Sequence, residues 1–352
     1  MRNLYAAPLA LLTGLCAISP LFCQAPPTDA YHAGLARYDN NQWPEAAACF
    51  RQTTRANPNQ PDGWYNLALT YYQMGDYPEA ERLVDKALAI APLNEKYHSL
   101  LAMCLYHRGQ YARAVKAFNY VLAQAPSENL RIARAICYIA DGRPKYALPD
   151  LDNILYYDPG NLRACLVKST ALMQLGQPTY ALRFLNRILD NDPENTAALT
   201  NRAICHFQTG RRIDAAADFE MALAIQPSVA TLLARAKCYL SEGRFQPALS
   251  DVRSALCLQP KAPRVYYLLG EIEMARGEYE HAIESFEIAL DLDHTCLDCL
   301  LLKSEAQAQL ERFTNAINDI YSILEEEPDN EKAREMLLWV YAQMDRKRNV
   351  EK

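Results

Sequence analysis

Apolar and small residues recur along this chain at helical spacing, inside a longer period of 34 or 33 residues. The clearest copy runs from Pro61 to Asn94. Trp64, Leu67, Ala68 and Tyr71 form one stripe, and Ala80, Val84 and Ala87 form a second. Steps of three and four predict two amphipathic helices, with Gly75 between them and Pro92 after them as punctuation. Counting Pro61 as position 1, the alanine of position 20 recurs at Ala46, Ala80, Ala114, Ala147, Ala181, Ala215, Ala248, Ala282 and Ala316. The proline of position 32 follows at Pro58, Pro92, Pro126, Pro159, Pro193, Pro227, Pro260 and Pro328, with His294 near the one place it is missing. Glycine marks the intervening turn at Gly75, Gly109, Gly142, Gly176, Gly210, Gly243 and Gly277. A left-handed backbone is expected there to close the first helix. Small residues at positions 8 and 20, such as Gly34 with Ala46, Ala135 with Ala147 and Gly270 with Ala282, would let paired helices approach closely.

On these residues the chain resembles the tetratricopeptide repeat family across residues 27–330, as nine tandem repeats. The resemblance implies an all-α fold, a right-handed superhelical solenoid of antiparallel helix hairpins whose concave groove is lined by the first helix of each pair. The match is poorest at the ends. Ala30 and Arg37 stand where Trp and Tyr are usual, and Glu311 stands where the turn glycine is usual. Terminal repeats that face solvent are expected to deviate. Pro144 and Pro178 fall where second helices begin, and proline is tolerated at that point. Residues 331–345, with Met336, Leu337, Val340, Tyr341 and Met344 as the apolar stripe, predict a capping helix. Residues 346–352 read as a flexible tail.

Residues 1–25 contain one charge, Arg2, and an apolar run interrupted by Pro8, Gly14 and Pro20. This reads as a secretory signal peptide ending near Cys23-Gln24-Ala25, not as a stable membrane span. It predicts export to the periplasm or cell envelope, with no membrane span after cleavage. The nine cysteines beyond it sit uneasily with an oxidising compartment. A formal charge of −6 supplies no general reason to bind nucleic acid.

Few residues carry candidate chemistry. Position 7 is basic in Arg134, Lys168, Arg202, Arg235 and Lys303, and four of those repeats place Asp150, Asp218, Asp251 and Asp319 at position 23. The recurrence predicts a helix-to-helix ion pair, worth about 0–1 kcal/mol when exposed; a basic ladder for an anionic partner is the functional alternative. Cys104, Cys137, Cys205 and Cys238 share position 10 and read as core thiols. His294, Cys296 and Cys299 offer three metal ligands, or a thiol of lowered pKa at a helix start. No second CxxC or later His cluster completes a tetrahedral site, so a local disulfide or inert thiols stand as the structural alternatives. No G-x-S-x-G, H-E-x-x-H or P-loop pattern occurs. The expectation is a protein that is not an enzyme and has no cofactor.

In the family, positions 2, 5, 9, 12 and 13 usually line the groove. Here that implies partner contacts from Tyr31, Leu35, Tyr38, Tyr65, Leu69, Tyr72, Met103, Tyr106, Ile136 and Phe207. Position 9 then turns charged at Lys237, Glu271 and Glu305. The resemblance and the leader together suggest a non-catalytic scaffold in bacterial envelope assembly or secretion, binding a protein or peptide. A chaperone-like holdase for exported chains and a thiol-redox or metal-binding protein centred on residues 296–299 are the rivals.

Overall fold

The computed structural model describes residues 29–350, which divide into two compact units with the boundary between Asn191 and Asp192. The expected leader, residues 1–25, lies outside the described residues. The first unit holds five hairpins: Asp29–Asp39 with Trp43–Ala56, Pro61–Gln73 with Tyr77–Ile90, Glu95–His107 with Tyr111–Gln124, Glu128–Ala140 with Pro144–Ala147 and Leu148–Tyr157, and Leu162–Gln174 with Pro178–Asn191. The second holds four: Thr196–Gln208 with Arg212–Ile225, Val229–Ser241 with Phe245–Leu258, Pro263–Arg276 with Tyr279–Leu292, and Leu297–Gln309 with Phe313–Glu326. A last helix, Glu331–Val350, packs on the ninth hairpin. Each unit is an all-α repeat solenoid, and no strand occurs among the described residues.

The helix boundaries follow the repeat register. From the second repeat on, every first helix starts at position 1, and every second helix, counting the Pro144–Ala147 turn, starts at position 17. Side-chain caps help define the starts: Asn161, Asn195 and Ser228 accept the N–H of Ala164, Ala198 and Thr231 at 2.9, 3.0 and 3.2 Å. All seven turn glycines have φ between 69° and 82°. Repeats one and nine make the same turn without glycine, through Asn41 at φ 59° and Glu311 at φ 61°. Asparagine tolerates this region, whereas glutamate is disfavoured in it.

The position-20 alanines are all buried. The small residue at position 8 answers a different neighbour from the one expected. A Cβ on Gly34 would lie 2.7 Å from the Phe50 ring, and one on Gly270 would lie 2.5 Å from Phe286. Those glycines therefore make room for the aromatic ring at position 24 rather than for the alanine. Repeat four departs locally: its second helix opens as a 3-10 turn, Pro144–Ala147, before the α-helix from Leu148. Pro149 has no N–H to give to the carbonyl of Lys145, so an α-helix cannot run unbroken from position 17.

The capping helix continues past Asp345 to Val350, so residues 346–350 are helical where a tail was expected. Asp345-Arg346-Lys347 contains no helix breaker, and Lys347 pairs with Glu311 of repeat nine. Ala333 and Val340 form the buried seam, joined by Met336, Leu337 and Trp339, while Tyr341 stays 37% exposed. None of the described helices is long and apolar enough to cross a membrane.

The turn geometry yields a paired test. Gly243→Ala should cost about 1–2 kcal/mol, because it forces a β-carbon into the left-handed region. Glu311→Gly should raise stability by up to about 1 kcal/mol, less whatever the exposed Lys347 pair contributes. Urea midpoints read both. A destabilised Glu311→Gly would show that the ion pair outweighs the backbone strain.

Candidate functional site

Seven of the ten residues expected to line a groove are core residues instead. Tyr31, Leu35, Tyr38, Tyr65, Leu69, Met103 and Tyr106 are buried, and only Tyr72, Ile136 and Phe207 keep partial exposure. Phe207 lies in the second unit, apart from the other nine. The tyrosine hydroxyls are engaged by the neighbouring repeat. Asn66 donates to Tyr31 at 3.0 Å and Gln73 donates to Tyr38 at 3.1 Å. Tyr72 meets His107 Nε2 at 3.1 Å, and Tyr97 donates to Asp62 at 2.7 Å. Every one of these pairs is 35 residues apart. Rings complete the seam: Tyr65 packs on Tyr97 at 5.1 Å, and His107 stacks on Tyr77 at 4.4 Å. Burial lowers the His107 pKa. The expected aromatic partner surface is therefore, for the most part, the packing between successive first helices.

The position-7 cations also serve the stack. Arg134, Arg202 and Arg235 each grip the position-23 aspartate of their own hairpin with two bonds of 2.6–2.9 Å. Lys303 meets Asp319 at 3.2 Å. These pairs are not exposed, as the sequence alone suggested: Asp150, Asp218 and Asp251 are 3%, 6% and 4% exposed. The same cations reach the preceding repeat at its position 25, Arg134 to Asn119 at 2.6 Å, Lys168 to Asp152, and Lys303 to Glu287 at 3.8 Å. Lys168 has Phe184 at its own position 23 and lies 4.5 Å over that ring. A basic ladder free to meet an anionic partner is not what these residues form.

A different charged set lies at position 9 of repeats seven to nine, all within the second unit. Lys237, Glu271 and Glu305 are half-buried where repeats one to three carry buried Leu35, Leu69 and Met103. Lys237 Nζ stands 3.8 Å from Glu271 Oε2 and 5.8 Å from the Tyr267 ring centroid. Burial raises the Glu271 carboxyl pKa, and the neighbouring charge of Asp298 adds to it, while Lys237 and a hydrogen bond with Tyr267 oppose the rise. Burial alone raises Glu305. Perturbed carboxyls at positions that are otherwise core mark the strongest candidate for a binding surface.

Cys104, Cys137, Cys205 and Cys238 are buried, and desolvation raises their thiols, those of Cys205 and Cys238 to about 12. They are core groups, not nucleophiles. Cys296 and Cys299 are joined as a disulfide, with Cα atoms 5.3 Å apart. Their sulfurs are thus not thiolate ligands, and His294 stands exposed outside the pair. Among the described residues no group of three or more His, Cys, Asp or Glu side chains is placed to hold a metal ion.

Sequence profiles described as tetratricopeptide repeat match residues 31–95, 65–129, 138–198 and 233–295. No curated protein matches the chain by sequence. Among solved structures, a tetratricopeptide repeat protein from Parabacteroides merdae aligns with a TM-score of 0.62 at 21% identity, covering 70% of this chain and 98% of that one. A human IFIT1 dimer with PPP-AAAA aligns with a TM-score of 0.58 at 18% identity, covering 92% and 83%. At these identities the likeness concerns the fold.

The buried pairs make an asymmetric prediction. Arg235→Leu should destabilise by about 3–5 kcal/mol, because it strands Asp251 in the core, whereas Arg235→Leu with Asp251→Leu should fall within about 1–2 kcal/mol of the parent. Denaturant unfolding of the two variants decides. Equal losses in both would mean that the pair itself, not the stranded charge, carries the energy.

Proposed function

The chain belongs to the tetratricopeptide repeat family, and from that premise we propose that it is a non-catalytic interaction scaffold. Its partner is a protein or peptide segment that presents a basic side chain or a free amine to the first-helix face of repeats seven to nine. One observation carries this reading: charge replaces core at position 9 in Lys237, Glu271 and Glu305. Tyr267 supports it, giving a half-buried aromatic face beside the carboxylates. A half-buried carboxylate with a raised pKa gains more from an arriving cation than an exposed one does, since the cation restores the counter-charge that water supplied. Lys237 acts as the internal competitor that holds the site when it is empty.

A holdase reading, with an apolar groove open to many unfolded chains, has little support. The tyrosines and aliphatics that would form such a groove in the first unit are buried in it. Export to the periplasm or envelope remains part of the proposal on the apolar leader, and a place in bacterial envelope assembly or secretion on the leader and the family resemblance together. Fold by itself names no partner.

Titration calorimetry with short peptides tests the surface. Lysine- or arginine-bearing peptides should bind, weaken as salt rises, and lose about tenfold in affinity on Glu271→Gln/Glu305→Gln, the size of one removed charge contact. The same variant should be more stable than the parent. Both carboxyls have folded-state pKa values above the unfolded ones, so between the two the folded parent holds more protons and loses stability as pH rises. The variant should lack that loss. Unchanged peptide binding in the variant would sink the assignment.

A further inference from the structure

The start of the ninth repeat departs from its counterparts in a specific way. Repeats five, six and seven cap their first helix with the oxygen of Asn161, Asn195 or Ser228, accepting the N–H of position 3. In repeat nine the capping atom is the Cys296 sulfur, 3.3 Å from the N–H of Cys299, and Cys299 supplies the second sulfur of a disulfide closed within that one turn. The two residues are unequally buried: Cys296 is half-buried and Cys299 is 0% exposed. Leu297 and Asp298, the residues between them, line a cavity of about 350 Å³ with Leu301, Ile323, Asp329 and Lys332.

We propose that Cys296–Cys299 is a thiol-exchange site. An incoming thiolate attacks the Cys296 sulfur. A new sulfur–sulfur bond forms there, the Cys296–Cys299 bond breaks, and the electron pair leaves on Cys299, which takes a proton. A second thiolate attacks the outer sulfur of the mixed disulfide and releases Cys296. Two thiols have then become one disulfide, and the protein's disulfide has become two thiols. Two features suit this order: burial shields Cys299 from attack, and the helix dipole favours the Cys296 thiolate that leaves in the second step. Asp298 is already paired with Lys332 at 3.4 Å, and Asp329 with Arg334 at 3.1 Å, so these carboxylates set no charge preference on the incoming thiol.

The full chain supplies its own readout. Residues 277–303 form one tryptic peptide whose only cysteines are Cys296 and Cys299. Native protein is equilibrated in glutathione buffers of graded composition, then alkylated, digested and weighed. The expected result is a reversible conversion from disulfide to dithiol without denaturant. In Cys299→Ser, glutathione should accumulate on Cys296; in Cys296→Ser, the buried Cys299 should take up none. A peptide that stays oxidised in reducing buffer until the protein is unfolded would make the bond a structural staple and overturn the proposal. So would adducts appearing equally on either cysteine, or a native protein in which the bond never forms. The wild-type titration decides even if a variant misfolds.

Discussion

A helical hairpin of this size leaves part of its first helix uncovered, and the next hairpin must supply the cover, so each repeat is stable only as a neighbour. In the first unit the cover is made by side chains reaching 35 residues along the chain, Tyr31 to Asn66, Tyr38 to Gln73 and Tyr72 to His107. A tyrosine suits that seam because its ring fills the space between two helices. Its hydroxyl, however, is expensive to bury without a partner. The polar residue in the following repeat is therefore as necessary as the ring. The position-7 cations do the equivalent work behind the first helix, tying it to its own second helix and to the second helix before it.

Much of this was legible in the sequence, because the markers act locally. A glycine in the left-handed region, a proline that ends a helix and an alanine where two backbones close together each constrain the chain within a few residues. Gly75 to Gly277 accordingly take the backbone expected of them, and Asn41 and Glu311 show that the turn is imposed even where the favoured residue is missing. The candidate site was less legible. Whether Tyr38 faces a partner or a neighbour depends on what stands at position 13 of the next repeat, and Gln73 and His107 stand there. Reading tyrosines at position 12 together with the polar residue 35 positions on would have found the seam. The resemblance to other repeat proteins pointed to a groove, and only the paired positions showed it filled.

Burial of the acids behind the first helices was hidden for a similar reason. The recurrence predicted the ion pairs of Arg134, Arg202 and Arg235 but not their burial, which depends on what packs around them. Their fork-shaped donors satisfy both oxygens of an aspartate that water scarcely reaches. Such a pair need not add much stability over apolar residues, yet it resists removal of either half.

That contrast separates the two sets of charges. Asp150, Asp218 and Asp251 have each oxygen bonded by an arginine, so their burial is compensated within the fold. Glu271 has Lys237 at 3.8 Å, beyond hydrogen-bond reach, and a hydrogen bond with Tyr267, yet burial still shifts its carboxyl toward the neutral form. The fold could have placed a leucine at position 9, as repeats one and two do with Leu35 and Leu69. A half-buried carboxylate kept there at a cost to stability is the kind of local inconsistency that stability alone does not explain. Compensation by an outside cation does explain it, and this is why the second unit's first-helix face, rather than the tyrosine-rich first unit, is the better place to look for a partner.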